Sequence, residues 1–249
     1  MSLINTIACG DCREILPTLP AKSFQLAFAD PPYWVGFDYG EKTDKEMAYI
    51  EPDFLVNELL RIAECVLITP GIGNLYDYPK PLWIASWYKG SSASRNAIGF
   101  NHWEPILVYG KPKIIQSKFR PDVIKAVPSV EAEASFHKCP KPLKLLMQLI
   151  EWFTESGQAV LDPVSGSGTT CKAAFQLGRE YLGIEIDPKI VELSLARLHN
   201  SQPPLLAMGG LTPSNNRLQP TAFGVGTQAQ FPLLGSSQAD ESSATNGGG

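Results

Sequence analysis

The sequence predicts an α/β fold built on a mainly parallel sheet. Short apolar runs alternate with segments in which apolar residues recur at helical spacing, and this alternation is typical of parallel strands joined by helices. Two turns strengthen the prediction, because each directly follows an apolar run: Asp30-Pro31-Pro32-Tyr33 and the glycine-rich segment 162–170. Open α/β sheets bind ligands at the carboxyl ends of their strands. We therefore expect the functional residues at that edge.

The predicted elements have recognisable boundaries. Aspartate just before a helix and proline at its first position mark helix starts, and Asp187-Pro188 shows both signals. Gly157 and Gly178 stand where helices are expected to end. Strands are predicted at residues 4–8, 24–29, 65–69, 82–87, 104–109, 158–162 and 181–186. Helices are predicted at residues 11–16, 52–62, 142–154, 169–177 and 188–198.

Length and composition favour one folded domain followed by a tail. The 249 residues are 44% hydrophobic and 18% charged, which suits a globular protein with a full core. Residues 1–200 are predicted to form the domain, and residues 201–249, rich in Gly, Ser, Pro, Gln and Asn, a disordered tail. No run approaches the roughly 18 apolar residues that span a membrane. No secretory signal is visible at the N-terminus, so the expected location is cytoplasmic.

The cysteines predict neither a zinc site nor a disulfide framework. The chain has five, at positions 9, 12, 65, 139 and 171. Cys9 and Cys12 have the spacing of a metal-binding pair, but no second pair completes the site. We expect free thiols in a reducing compartment and no metal.

A basic segment stands out on an otherwise acidic chain. The formal net charge is −4, yet residues 79–125 hold eight Lys or Arg against two acids, a net charge of +6. This distribution predicts a face that contacts a polyanion, although a solvated lysine-rich loop is the alternative. The predicted DNA-contacting residues are Lys89, Arg95, Lys111, Lys113, Lys118 and Arg120.

The Asp30 turn brings unusual groups together. Each proline fixes its φ angle and lacks an N–H, and Pro31 also favours extended geometry at Asp30. A carboxylate, free backbone carbonyls and the Tyr33 ring are therefore expected within one turn. Such a set can accept hydrogen bonds from an amino group and stack on a flat ring. A plain strand-ending turn with a solvated aspartate is the alternative.

The glycine-rich segment predicts a nucleoside site. Gly166 and Gly168 permit a tight turn and a close approach of a ligand to the backbone, beside the N-terminus of the next helix. About twenty residues later, Glu185 is placed to accept both hydroxyls of a ribose. The segment is not a P-loop, and Cys171 replaces the third glycine of a dinucleotide fingerprint. A tight turn near a surface acid is the alternative.

Residues 137–142 add a further binding candidate. Pro142 is expected to begin a helix whose free N–H groups, together with the Lys141 ammonium, could hold a small carboxylate.

These motifs together resemble the β-class of S-adenosylmethionine-dependent amino DNA methyltransferases. The similar segments are Asp-Pro-Pro-Tyr at 30–33, His-x-x-x-Lys-Pro at 137–142, Leu-Asp-Pro-x-x-Gly-Ser-Gly-Thr-Thr at 161–170 and Gly-Ile-Glu-Ile-Asp at 183–187. Gly10-Asp11-Cys12 is similar to a segment that lies beside the cofactor adenine in that class. The resemblance covers about residues 5–199. It implies the Rossmann-like methyltransferase fold, S-adenosylmethionine as cofactor and a small target-recognition region at about 79–135.

The resemblance also implies a division of roles. The catalytic residues would be Asp30, Pro31, Pro32 and Tyr33, acting on the amino group of a base flipped out of duplex DNA. The cofactor-binding residues would be Asp11, Cys12, His137, Lys141, Asp162, Pro163, Ser165, Gly166, Ser167, Gly168, Thr169, Thr170 and Glu185. No metal takes part. Val164 replaces a usual Phe, and residues 138–140 differ from the usual Pro-Thr-Gln, which leaves open how the cofactor carboxylate is held.

Several readings of the function stay open from sequence alone. Adenine N6 is favoured over cytosine N4, because the catalytic motif begins with Asp and not with Ser. Methylation of RNA or of protein glutamine usually goes with Asn at that position. A non-catalytic module that binds DNA or cofactor is the remaining alternative. The sequence also leaves a homodimer open.

Overall fold

The computed structural model describes residues 4–36, 45, 49–90, 95–96, 98–112, 120–127, 136–137 and 139–201. The tail beyond residue 201 lies outside the described residues, and so do Lys113 and Lys118. The predicted domain limits and the predicted disorder of the tail therefore stay predictions.

Five α-helices lie within the described residues, and they follow the predicted pattern. Asp187 accepts hydrogen bonds from the backbone N–H groups of Lys189 and Ile190, at 2.8 and 3.3 Å, and so caps the last helix. A short 3-10 turn over Leu16–Thr18 continues the first helix, because Pro17 cannot donate the next helical hydrogen bond. The helices are α1 (Cys12–Ile15), α2 (Pro52–Ile62), α3 (Leu143–Phe153), α4 (Thr169–Gln176) and α5 (Pro188–His199).

Ten β-strands are described. They are β1 (Thr6–Cys9), β2 (Phe24–Ala29), β3 (Ala63–Ile68), β4 (Trp83–Tyr88), β5 (Arg95–Asn96), β6 (Gly99–Phe100), β7 (Trp103–Gly110), β8 (Val123–Lys125), β9 (Ala159–Asp162) and β10 (Glu180–Glu185). Eight of them form one sheet in the order β1-β10-β9-β2-β3-β7-β4-β8, while β5 and β6 form a separate hairpin. Within the large sheet only β7 runs antiparallel to its neighbours. The predicted α/β class with a mainly parallel sheet is confirmed.

The sheet is buried on both faces. In β2, Leu26 and Phe28 belong to a core shared with α3 and α4, whereas Ala27 and Ala29 belong to a second core that contains the buried residues of α2. Because alternate residues of a strand point to opposite faces, the two cores lie on opposite sides of the sheet. This is why β2 reads in the sequence as a nearly continuous apolar run.

Three local features differ from the predictions. The strand β3 begins at Ala63, two residues before the predicted start, because the chain becomes extended directly at the end of α2. No strand was predicted at β8, yet its three residues pair in parallel with β4. The β5–β6 hairpin was not predicted either.

No helix among the described residues is long and apolar enough to cross a membrane.

Candidate functional site

The topology places the Asp30 turn and the glycine loop side by side. The strands β9 and β2 are neighbours, but β9 is followed by β10 on one side and β2 by β3 on the other. The strand order therefore reverses between them, and a crevice at the carboxyl edge of such a reversal is where open α/β sheets bind ligands. Asp30 directly follows β2, and residues 163–168 directly follow β9.

Asp30 is held by hydrogen bonds from three different parts of the chain. Its Oδ1 accepts from the Tyr33 hydroxyl at 2.8 Å and from the Thr69 hydroxyl at 2.6 Å. Its Oδ2 accepts from the Lys141 ammonium at 2.5 Å. A carboxylate has about four lone-pair sites, so one acceptor position on Oδ2 is left for a further donor. The carboxylate is thus fixed in place before a substrate arrives.

The Tyr33 ring rests against the bare backbone of Gly71. A Cβ atom at Gly71 would lie 2.8 Å from the ring carbon Cδ2, and Gly71 has a φ of +72°, which side chains rarely adopt. Asn74 donates a hydrogen bond to the Tyr33 carbonyl at 2.8 Å. Burial, with the charges of Asp30 and Glu104, raises the pKa of Tyr33 well above its usual value, so its hydroxyl stays protonated and donates to Asp30.

Gly71→Ala should misplace Tyr33 and slow the methyl transfer that the motif resemblance implies. The added methyl must push the ring aside, and a displacement of about 1 Å in an active site can cost up to about 100-fold in rate. The left-handed φ angle should also lower the free energy of unfolding by about 1–2 kcal/mol. Gly73→Ala is the matched control, because a Cβ there meets nothing within 4 Å. Methyl-transfer rates and melting temperatures of both variants test this, and equal rates for the two would contradict the role of Gly71.

Lys141 lies elsewhere than predicted. Its ammonium is bound to Asp30 at 2.5 Å and lies 3.7 Å from a carboxylate oxygen of Glu104, instead of standing free at the helix start for a ligand carboxylate. Burial would lower the pKa of Lys141, but Asp30 and Glu104 outweigh it and hold the pKa above its usual value. Two nearby carboxylates attract the cation more strongly than a weak helix end does.

Lys89 also corrects the sequence analysis. It is only 8% exposed, and its ammonium pairs with Oε1 of Glu104, so the charge predicted to contact DNA is already neutralised inside the protein. Glu104, in turn, was not identified as a site residue. An acidic residue at the start of a predicted strand looks like a surface position, and only the fold shows that it is buried beside Asp30.

The glycine loop has the tight geometry that the sequence predicts. Gly166 and Gly168 have φ angles of +47° and +70°. A Cβ atom at Gly166 would lie 2.9 Å from Nε2 of His137, so His137 packs directly on the loop. Burial lowers the pKa of His137, which favours the neutral imidazole. The structure thus brings His137 to the predicted cofactor residues.

Cys171 replaces a glycine without loosening the packing of α4. The third glycine of a dinucleotide fingerprint lets the helix pack closely against the strand. Here a glycine on the strand β10 allows the same close packing. A Cβ atom at Gly183 of β10 would lie 2.9 Å from Sγ of Cys171. The glycine that permits close packing is therefore present in the sequence, but it is Gly183 on the strand and not a residue of the helix.

The remaining loop residues are buried and ordered by α5. Arg197 donates to the Ser167 carbonyl at 2.8 Å and to the Thr169 hydroxyl at 2.9 Å, a role that sequence reasoning missed. Pro163 is buried directly after β9, and Thr169 and Thr170 are buried at the start of α4. The buried Oγ of Ser165 has no hydrogen-bond partner within the part of the chain that the structure describes. A buried hydroxyl of this kind suits a site that a polar ligand completes.

Glu185 ends β10 with both carboxylate oxygens hydrogen-bonded to the backbone. Its Oε2 accepts from the Gly166 N–H at 2.9 Å and its Oε1 from the Asp187 N–H at 3.0 Å. A carboxylate has about four lone-pair sites, so acceptor capacity remains on Glu185 for a ligand hydroxyl. Burial raises the pKa of Glu185, while the backbone hydrogen bonds oppose the shift.

Asp162 is a buried acid at the end of β9. Burial raises its pKa to about 7, although hydrogen bonds from Thr170 and the Val164 N–H counteract the shift. In the unfolded chain the same carboxyl has a pKa near 3.8. The folded protein therefore binds the proton more tightly between these two values, and the contribution of Asp162 to stability falls as the pH rises through that window.

Asp162→Asn should stabilise the ligand-free protein more at pH 8 than at pH 5. The amide stays neutral, so it avoids the charge that Asp162 must carry above its folded pKa. Between these two pH values the difference should be about 2–3 kcal/mol, since one pKa unit corresponds to about 1.4 kcal/mol. Denaturant unfolding of both proteins at each pH measures it. An equal effect at the two pH values would show that Asp162 titrates normally.

Asp11 and Cys12 reach the edge beside Glu185. Cys9 pairs with Glu185 across the β1–β10 ladder, and the Gly10 N–H donates to the Glu185 carbonyl at 2.9 Å. Asp11 caps α1, and a hydrogen bond from Arg13 lowers its pKa. The Cys12 side chain belongs to the hydrophobic core. Burial raises the pKa of the Cys12 thiol to about 12, so the thiol stays protonated, and its contact with the cofactor stays a prediction.

Of the remaining basic residues predicted to contact DNA, Lys111 and Arg120 have described side chains. Lys111 follows the antiparallel strand β7, and its N–H donates to the Glu64 carbonyl at the amino end of β3, so Lys111 lies at the sheet edge opposite Asp30. Arg120 lies 5.3 Å from the Trp152 ring centre. Arg95 stands in β5, and its side chain is outside the described part. The predicted DNA contact of Lys111 is therefore not compatible with DNA bound at Asp30.

Known proteins with similar sequences and structures identify the family. A family model described as DNA methylase, of the N6/N4 methyltransferase type, matches residues 80–196. The Type II methyltransferase M2.MboI of Moraxella bovis is 43% identical, over 79% of this chain and 88% of that protein. The DNA adenine methyltransferase YhdJ of Escherichia coli is 29% identical, over 78% of this chain and 82% of that protein.

A solved structure agrees with these relatives. The crystal structure of TTHA0409 from Thermus thermophilus, complexed with S-adenosyl-L-methionine, has 25% sequence identity and a TM-score of 0.53. The similarity covers 76% of this chain and 92% of that one. The resemblance stated from the motifs is confirmed, and the chain belongs to the family of N6-adenine and N4-cytosine DNA methyltransferases.

Proposed function

We propose that this protein methylates the exocyclic N6 amino group of adenine in DNA. The observation that carries the proposal is the Asp30 carboxylate at the switch point, fixed by Tyr33, Thr69 and Lys141 with one acceptor position to spare. The acid at the first position of the motif favours adenine over cytosine. The relative YhdJ, named a DNA adenine methyltransferase, supports the same choice.

The cofactor is S-adenosylmethionine, and the residues of the glycine loop and the β10 edge fit it. Glu185 keeps acceptor capacity for a ribose hydroxyl, and Gly166 and Gly168 allow a close approach to the backbone. When bound, S-adenosylmethionine supplies a methyl group bonded to a positively charged sulfur, and an amine can attack this methyl group and displace the sulfur. Because the Lys141 ammonium is bound to Asp30, we infer that His137 and the residues beside it hold the amino-acid carboxylate of the cofactor.

Asp30 would act on the target amino group. The lone pair of an aromatic amine is delocalised into the ring, so the amine is a weak nucleophile. When Oδ2 of Asp30 accepts one N–H, the nitrogen becomes more electron-rich and more pyramidal. Positive charge develops on this nitrogen as the methyl group arrives, and the carboxylate stabilises it at short range. The proton lost afterwards has Asp30 as its nearest acceptor.

The other residues of the motif would position the base. Tyr33, supported by Gly71, offers a ring face for stacking, and the Pro31 carbonyl is a second acceptor for the amino group. A base can reach this pocket only if it leaves the DNA stack, so the proposal includes base flipping. Residues 1–200 would form the catalytic domain, with the region at about 79–135 nearest the DNA.

Transfer of a labelled methyl group distinguishes the candidate substrates. Purified protein is incubated with radiolabelled S-adenosylmethionine and, separately, with duplex DNA, RNA and a mixture of proteins. We expect label in duplex DNA and only background in the other two. Label in RNA or in protein would contradict the proposal, and the absence of label in all three would favour a non-catalytic binding module.

A further inference from the structure

Four charged side chains, among them the proposed catalytic acid Asp30, form a cluster in which three are nearly buried and the Asp30 side chain is 24% exposed. The cluster consists of Asp30, Lys141, Glu104 and Lys89, two acids and two bases. Lys141 contacts Asp30 at 2.5 Å and Glu104 at 3.7 Å, while Lys89 pairs with the other oxygen of Glu104. The side chains of Lys141 and Glu104 are each 11% exposed. Buried charges keep such an arrangement only when they are paired.

The contact between Lys141 and Asp30 opposes the proposed chemistry. A cation bound to Oδ2 weakens this oxygen as a hydrogen-bond acceptor. The target nitrogen becomes positively charged in the transition state, and it would approach an ammonium group in a site of low dielectric. Asp30 can therefore stabilise that charge fully only if Lys141 moves away from it.

We propose that Glu104 is a positioning residue that receives the Lys141 ammonium when the target amino group reaches Asp30. This inference rests on the proposed function. The distance that Lys141 must travel is short, since it already lies within ion-pair range of Oε2 of Glu104. The Tyr33 hydroxyl is 3.2 Å from the ammonium, 2.8 Å from Asp30 and 3.3 Å from Glu104, so it lies between both positions.

The surroundings of Glu104 prepare it for this role. Lys89 pairs with Oε1, which leaves Oε2 directed at Tyr33 and Lys141. The Trp87 ring lies beside both cations, with its centre 5.2 Å from the Lys89 ammonium and 5.8 Å from the Lys141 ammonium. Both ammonium groups can interact with the face of this ring. The receiving position is thus built before the substrate binds.

Glu104→Gln should lower the rate of methyl transfer and leave binding intact. The amide keeps the shape but cannot neutralise Lys141, which stays on Asp30. We expect the single-turnover rate at saturating DNA and cofactor to fall between about 10- and 100-fold. The dissociation constants for DNA and S-adenosylmethionine should change less than about twofold. If the wild-type protein is active and Glu104→Gln works at the same rate, the inference about Glu104 is overturned while the proposed function stands.

A double-mutant cycle with Lys141→Met tests whether Glu104 acts on the rate through Lys141 or independently of it. Without the ammonium there is nothing for Glu104 to receive, so Glu104→Gln should slow the Lys141→Met protein by less than about twofold. Equal slowing in both backgrounds would overturn the proposal. If the wild-type protein transfers no methyl group to DNA, the proposed function fails and this inference with it.

Glu104→Gln also leaves the buried Lys89 ammonium without its partner, so a second variant is needed. Combining Glu104→Gln with Lys89→Met removes that unpaired charge. The combined variant should remain as slow as Glu104→Gln, because the slowing comes from Lys141 on Asp30. Recovery of the wild-type rate would show that the unpaired Lys89 caused the loss, and would overturn the proposal. Melting temperatures confirm that each protein is folded.

Discussion

Replacing Asp30 with alanine should abolish methyl transfer while the protein stays folded and keeps its affinity for S-adenosylmethionine. Asp30 lies at the end of β2 and not in either core, so its removal opens no apolar cavity. Lys141 keeps Glu104 as a partner, which limits the cost of the lost ion pair. The proposed cofactor contacts lie on β10, on the glycine loop and at His137.

The expected loss of rate is large because Asp30 acts where charge develops. Removing one preorganised electrostatic group typically lowers the rate by about 10²–10³-fold. Single-turnover rates on duplex DNA measure the effect, with Asp53→Ala, an exposed acid in the first turn of α2, as the matched control. A folded Asp30→Ala protein that works at a near-normal rate would show that residues 30–33 only form a turn.

Glu185→Ala should weaken the binding of S-adenosylmethionine by about 10- to 100-fold. A hydrogen bond to a charged group contributes about 1.5–3 kcal/mol, and about 1.4 kcal/mol corresponds to a tenfold change in affinity. The substitution also removes the acceptor for the Gly166 N–H, so the glycine loop loses an anchor.

A control on the same strand makes this test specific. Glu180 begins β10 and is exposed, so Glu180→Ala changes the same charge without reaching the site. Calorimetric titration of both variants with S-adenosylmethionine gives the dissociation constants. Wild-type affinity in a folded Glu185→Ala protein would remove Glu185 from the cofactor site.

Local sequence signals predicted the fold well because most elements carry them in full. Asp187-Pro188 caps α5 as expected, and β2 alternates between two cores as a buried parallel strand must. The three-residue strand β8 carries too short a pattern to be recognised, and it exists only because β4 offers a neighbour. Its prediction would have required knowledge of the sheet order.

The candidate site was predicted in part, for a similar reason. Asp30, Gly166 and Glu185 lie in motifs in which chemistry and local backbone geometry coincide. Glu104 and Lys89 have no such motif, and their burial depends on the pairing of β4 with β7. Lys111 illustrates the opposite error, since charge counting ignores strand direction, and the antiparallel β7 takes this lysine away from Asp30.

Identification of the methylated nucleoside tests the central claim most directly. Duplex DNA is treated with the wild-type protein and with Asp30→Ala in the presence of S-adenosylmethionine, digested to nucleosides and analysed by mass spectrometry. We predict N6-methyldeoxyadenosine after treatment with the wild-type protein and none after treatment with the variant. N4-methylcytosine, or equal adenine methylation by both proteins, would contradict the account.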